Sequence, residues 1–177
     1  MTDDVFAIRR ATVADAAAVS DLAARTFKET FEADNTEADM AEYLASAYSV
    51  DKQRAELEDP NLLTVVAERG DALAAYAMIR RAGPQPPCIT TPSPVEIWRF
   101  YVDRPWHGRG VAPAMMSVAL DAARELGARS VWLAVWERNA RALAFYSKFA
   151  FVDIGAKEFW VGSDRQTDRV LSRPLDR

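Results

Sequence analysis

The sequence predicts an α/β fold, and three observations carry that prediction. Hydrophobic periodicity switches along the chain between two residues and about 3.6. The elements so marked fall in the order β-α-α-α-β-β-β-α-β-α-β-β, a mixed order that suits one sheet with helices on both faces. A nearly continuous apolar stretch, SVWLAVW at 130–136, reads as a central strand covered on both sides. The chain has 177 residues, enough for a single domain over 1–177 with a sizeable core.

The elements follow in order. VFAIRRA (5–11) alternates and reads as a strand. Residues 12–31 switch to helical spacing. Thr12 is a candidate N-cap with Asp15 three residues on, and Val19, Leu22, Ala23, Thr26 and Phe27 form the inward stripe. A second helix over 35–48 is capped by Asn35 or Thr36 and carries Met40, Tyr43, Leu44 and Ala47 on one face. A short charged helix at 50–59 stops near Pro60. Residues 61–69 and 72–82 read as a hairpin around Gly70 and Asp71. Residues 83–94 contain five prolines, which excludes a regular element and predicts a loop inside the domain. VEIWRFYV (95–102) is a strand. A helix then runs to Leu126, with Gly127 as its stop. Asn139 caps a helix over 139–149, and short strands around 151–161 and 168–175 close the chain.

Composition excludes several functions. A formal charge of −4 lacks the basic footprint of a nucleic-acid binder. Charged residues break every apolar run, so no segment is predicted to span a membrane. The acidic start MTDDVFAIRRAT lacks an apolar signal core, which predicts a cytoplasmic protein. One His and one Cys, without clustered carboxylates, predict no metal site. Cys88 cannot form an internal disulfide and reads as an incidental loop thiol.

The segment RPWHGRGVAPAMM (104–116) carries the chemistry. Proline is tolerated only in a helix's first turn, so Pro113 places the helix start near Arg109 or Gly110. Residues 108–112 then present free backbone N–H groups at a helix N-terminus, which is an anion site. Gly108 and Gly110 remove side chains that would block a phosphate, and Arg104 and Arg109 add charge. The segment is neither G-x-G-x-x-G, since Pro113 stands at the third glycine, nor a P-loop.

Together with VWLAVWERNARALAFYSKFAF downstream, this segment resembles the GCN5-related N-acetyltransferase superfamily. That pattern, Arg or Gln, two residues, Gly, one residue, then Gly or Ala, appears as His107-Gly108-Arg109-Gly110-Val111-Ala112. The later motif N-x-x-A-x-x-F-Y-x-x-x-G-F appears as Asn139, Ala142, Phe145, Tyr146, Ala150 and Phe151. His107 departs from the usual Gln or Arg and is expected to weaken one phosphate contact. Ala150 departs from the usual Gly and is expected to cost little, on the premise that the backbone there needs no positive φ. The resemblance implies a mostly antiparallel sheet with a splayed central strand pair, and acetyl-CoA as cofactor. The pyrophosphate would lie on the amides of 108–112, and the pantetheine arm along the backbone of Phe100, Tyr101 and Val102 with Asn139 as a further contact. It implies Tyr146 as the general acid, since a phenol of pKa ~10 suits a leaving thiolate. Glu96 lies near the position of a catalytic glutamate in several members. The competing reading of Glu96 is an exposed strand-edge carboxylate.

Acetyl transfer to a primary amine in a ternary complex follows, with no covalent enzyme intermediate. RTFKETFEADNTEADMAEYL (25–44) and the tail 161–175 resemble the bacterial Pai-type spermidine/spermine acetyltransferases. Glu29, Glu32, Asp34, Glu37 and Asp39 near the acceptor mouth would attract a polycation. A protein N-terminus, a lysine or an amino-sugar antibiotic are the other acceptors, and a non-catalytic CoA-binding regulator is the competing class. The sequence leaves the oligomeric state open, a homodimer included.

Overall fold

The computed structural model describes residues 6–175, so the acidic stretch 1–5 lies outside the described residues. Seven strands form one sheet: β1 (Ala7–Arg10), β2 (Leu62–Arg69), β3 (Ala72–Arg80), β4 (Pro94–Val102), β5 (Ser130–Trp136), β6 (Val152–Val161) and β7 (Asp164–Pro174). Their spatial order is β1-β2-β3-β4-β5-β7-β6. Every neighbouring pair is antiparallel except β4–β5. The helices are α1 (Ala16–Phe31), α2 (Glu37–Ala47), α3 (Val50–Glu58), α4 (Val111–Glu125) and α5 (Ala140–Lys148).

Helices cover both faces, and each face has its own core. Val19, Leu22, Ala23 and Phe27 of α1 pack with Met40 on Val66, Tyr76 and Met78. Val111, Met115, Met116 and Ala119 of α4 pack with Tyr146 on Ala75, Ala77, Ile79 and Val131. The five residues of the expected α1 stripe are all buried. Asp15 accepts from the Thr12 N–H at 2.7 Å, the expected capping contact, although residues 13–15 form a short 3₁₀ turn before α1 begins. Thr36 rather than Asn35 caps α2, accepting from the Asp39 N–H at 3.1 Å.

The structure corrects two expectations and refines a third. β7 starts at Asp164, four residues before the expected strand, and joins β6 through Gly162 and Ser163 as one long hairpin. The stripe on α2 is only half covered: Met40 is buried, while Tyr43, Leu44 and Ala47 are not fully so. Ala150 does adopt a positive φ, +60°. It follows the end of α5, where the Ala150 N–H donates to the Ser147 carbonyl and the Phe151 N–H to that of Tyr146. That pairing ends a helix through a left-handed residue, which favours glycine. Gly127 ends α4 with the same bonding, Gly127 to Arg124 and Ala128 to Ala123.

One irregularity positions the site. β4 and β5 pair only over Pro94–Glu96 and Ser130–Trp132. Beyond that point β4 stays paired with β3 as far as Val102, and β5 with β7 as far as Trp136. The register against β3 slips between Met78 and Ile79, leaving Trp98 as an extra residue on β4. Such a bulge bends its strand, here away from β5, so the sheet splits at its centre. The proline-rich loop does not line this split. It packs against β6, where Gly155 leaves room for Cys88: a Cβ there would lie 2.9 Å from the sulfur.

Candidate active site

The split sheet opens into one cavity of about 760 Å³, lined from both faces. Arg104, His107 and Ala112, on either side of the glycines, line it. Asp103, buried at the end of β4, pairs with Arg25 of α1 at 2.8 Å and accepts the Arg104 N–H at 3.0 Å. That fixes a single 3₁₀ turn, Arg104–Trp106, leading into the glycines. Gly108 and Gly110 then take φ of +74° and +80°, a conformation that L side chains rarely adopt. The amides of Gly108, Gly110, Val111 and Ala112 are not taken by any backbone bond among the described residues. A Cβ built on either glycine would meet nothing within 4 Å. The segment is therefore an open concavity of amides at the positive end of α4, which fits a diphosphate.

Side chains refine the expected contacts. Arg109 folds back, its Nε donating to the Pro105 carbonyl at 3.0 Å and its guanidinium lying over Trp106. His107 donates from Nε2 to the Val102 carbonyl at 2.8 Å and accepts at Nδ1 from Arg141 at 2.7 Å. A carbonyl can only accept and a guanidinium only donate, so these partners fix the neutral tautomer. His107 is thus a strut that holds the end of β4. Arg141, which the sequence reading did not single out, joins Arg104 and Arg138 as cations lining the cavity.

Phe100, Tyr101 and Val102 line the middle of the cavity on the edge that β5 does not pair. Asn139 caps α5 as expected: its Oδ1 accepts the Ala142 N–H at 3.1 Å, leaving its amide donors for the cavity. Tyr146 is buried on α5 and lines the cavity, with Phe100, Phe145 and Phe151 around its ring. Burial pushes its phenol well above the ordinary value, so it is protonated across the neutral range.

Glu96 is not the exposed edge carboxylate of the competing reading. It is 4% exposed, at the last paired position of β4, and Arg80 Nε donates to its Oε2 at 2.8 Å. Burial raises its pKa, and the Arg80 guanidinium works against that rise. The beginning of β7 adds a second buried carboxylate that the sequence reading missed. Asp168 lines the cavity at 7% exposure, with Oδ1 lacking any hydrogen-bond partner. Burial raises it to about 6, with Lys157 opposing and Glu137 adding to the rise. Its sequence signal was a polar residue at an inward strand position, Gln166 and Asp168 alternating before Val170.

The acidic helix residues mostly have other tasks. Asp39 accepts from Ser163 N–H and Oγ, latching α2 to the β6–β7 turn. Asp34 faces Arg138 at 3.5 Å, and Glu32 faces Lys28 at 3.9 Å. Of the five, only Glu29 lines the cavity.

A sheet split in this way admits a long diphosphate-bearing donor at one end and an acceptor from the other face, the construction of an acyl-CoA-dependent transferase. Residues 20–151 match the model of the acetyltransferase (GNAT) family, and the chain belongs to that family: it is an N-acetyltransferase with acetyl-CoA as donor. It is 30% identical over 150 residues to an uncharacterised N-acetyltransferase in the pepI 3′ region of Lactobacillus delbrueckii subsp. lactis, covering 85% of this chain and 86% of that one. An uncharacterised N-acetyltransferase of Mycobacterium tuberculosis is 33% identical over 119 residues, 67% of this chain and 71% of that one. In fold, the chain is similar to the PaiA N-acetyltransferase of Thermoplasma acidophilum, solved in complex with coenzyme A. The TM-score is 0.76 over 97% of this chain and 99% of that one, at 15% identity. Among the described residues, no helix is long and apolar enough to cross a membrane.

Proposed function

We propose that the protein acetylates a small primary amine by direct attack in a ternary complex, with Tyr146 as general acid and Glu96 as base. One observation carries this reading: a single cavity is lined by His107 and Ala112, which flank the glycine concavity, by Tyr146, and by Tyr43, Trp136 and Phe159. Donor and acceptor therefore meet without any enzyme-bound intermediate, and alignment supplies a large part of the rate. The cofactor supplies an activated acetyl thioester. The amides of 108–112 hold its diphosphate, with Arg104 and Arg141 alongside. The free edge of β4 at Phe100–Val102, with the Asn139 amide, holds its arm. Tyr146 keeps a proton at its hydroxyl for the departing sulfur. Glu96 takes the proton of the attacking amine, directly or through water, and its burial makes it a better proton acceptor than an exposed carboxylate. The polycation reading of the acidic helices reduces to Glu29 at the mouth, and aromatic rings line the interior.

The test is CoA release on mixing protein, acetyl-CoA and a panel spanning diamines, spermidine, peptide amines and amino sugars. Turnover with at least one amine is expected, and Tyr146→Phe should lower kcat by ~10²-fold with acetyl-CoA affinity retained. Tight CoA binding with no turnover across the panel would instead favour a CoA-binding regulator. An unchanged kcat in Tyr146→Phe, with chemistry rate-limiting, removes Tyr146 from the mechanism.

A further inference from the structure

Asp168 is a buried carboxylate that the reaction just described does not use. It is 7% exposed, lines the acceptor chamber, and has an oxygen with no hydrogen-bond partner. A buried charge left in this state is expensive unless something pairs with it. Within the chain the candidates for pairing are few. Asp168 lies opposite Trp136 on β5 and Lys157 on β6 in the strand register. Lys157 exerts an attractive field on it without closing an ion pair. Glu137, just beyond β5, repels it, and Tyr43 of α2 is near enough for its phenol to feel the charge.

The surroundings suit a small cation. Trp136 is the cross-strand neighbour of Asp168, and Phe31 of α1 packs on Trp136 at 5.3 Å between ring centroids. Phe159 and Tyr43 meet edge-on at 5.6 Å. Aromatic faces attract desolvated ammonium groups and leave neutral apolar ligands without that gain. A carboxylate among such rings holds an organic ammonium better than a hydrated metal ion, which needs several oxygens at once.

Position decides which nitrogen is held. The reaction takes place at the opening between β4 and β5. Asp168 stands on β7, with β5 between it and that opening, so it is set back by about one strand spacing, ~5 Å. The reacting nitrogen must be neutral at the opening, whereas the nitrogen at Asp168 must be charged.

We infer that Asp168 seats a second, non-reacting ammonium of the acceptor, so that the substrate class is a short aliphatic diamine. This rests on the proposed acetyl transfer and deepens it. A chain of a few methylenes spans the setback, with one amine at the opening and the other on Asp168. Lys157 is the internal competitor for the same carboxylate.

The experiment compares 1,4-diaminobutane with 1-aminobutane, by calorimetric binding to the protein saturated with CoA and by steady-state kinetics with acetyl-CoA. Wild type should bind the diamine about tenfold or more tightly than the monoamine, as expected of a charged hydrogen bond. Asp168→Asn should erase that difference by raising the diamine's Kd and KM to those of the monoamine. Lys157→Ala, which keeps Asp168, should tighten the diamine alone. Equal binding of the two ligands by wild type, or a preference that survives Asp168→Asn, overturns the inference. Absence of turnover with every amine of the wider panel overturns acetyl transfer itself. The two failures are therefore distinct.

Discussion

At the scale of single residues, the cavity keeps two carboxylates in places that disfavour their charge. Burial raises Asp168 to about 6. An acid whose pKa is higher in the fold than in the unfolded chain loses stability as pH rises through that interval. The ionised form at neutral pH therefore destabilises the fold by up to about 3 kcal/mol. Asp168→Asn should raise stability at pH 7 and make little difference at pH 4, as measured by urea unfolding at both values. The same stabilisation at both pH values would contradict the buried-charge account. The charge is retained at that cost, as expected of a group that meets a ligand. The affinity for a cationic acceptor should in turn strengthen as pH rises through about 6, where Asp168 ionises with Lys157 favouring its charge and Glu137 opposing it, beside the Tyr43 phenol.

At the scale of elements, two helix ends govern the site. The start of α4 depends on Gly110, its N-cap at a φ of +80°. An alanine there is strained by ~1–2 kcal/mol even though its Cβ would meet no neighbour. Gly110→Ala should therefore weaken CoA binding, read by calorimetry, while amine binding in the other half of the cavity is unchanged. An unaltered CoA affinity would mean that the amide concavity does not hold the diphosphate. The end of α5 carries the converse case. Ala150 occupies a left-handed position, so Ala150→Gly should stabilise the protein by about 1 kcal/mol. Because the Tyr146 carbonyl keeps its bond to the Phe151 N–H, kcat should hold. A thermal melt that does not rise would count against strain at this residue.

At the scale of the whole molecule, other carboxylates act as ties between successive or distant elements. Arg9 of β1 holds Asp15, whose pKa falls to about 2. Asp39 is lowered by the Ser163 amide, and Asp153 by Arg169 of β7. A carboxylate with a depressed pKa contributes stability above its ordinary value and loses it as pH falls through the folded value. Unfolding free energy should therefore drop between about pH 4 and pH 2, and Asp15→Asn should remove part of that drop. A drop of the same size in the variant would show that the Arg9–Asp15 pair is not one of these ties.

Local chemistry was legible before the fold was known. The α1 stripe reads from spacing, because each of its residues faces whatever lies beneath the helix. The Thr12, Thr36 and Asn139 caps read from side chains that bond within three residues. Gly108, Gly110 and Pro113 mark a helix start that leaves amides free, and the resemblance carried by 104–116 and 139–151 named the donor. What could not be read is non-local. The bulge at Trp98, the early start of β7 and the Asp39 latch exist only through pairing with segments far along the chain. Asp39 and Asp168 look alike in sequence, each an acidic residue among polar neighbours. Only packing decides that one ties down a turn and the other faces a cavity unpaired. The sequence by itself determined most of the elements and predicted a helix start with free amides, since those depend on backbone preferences over a few residues, while the donor was implied by the motifs' resemblance to a family. Tertiary structure alone decided which carboxylates line the cavity, because a buried charge is defined by what the rest of the chain places around it.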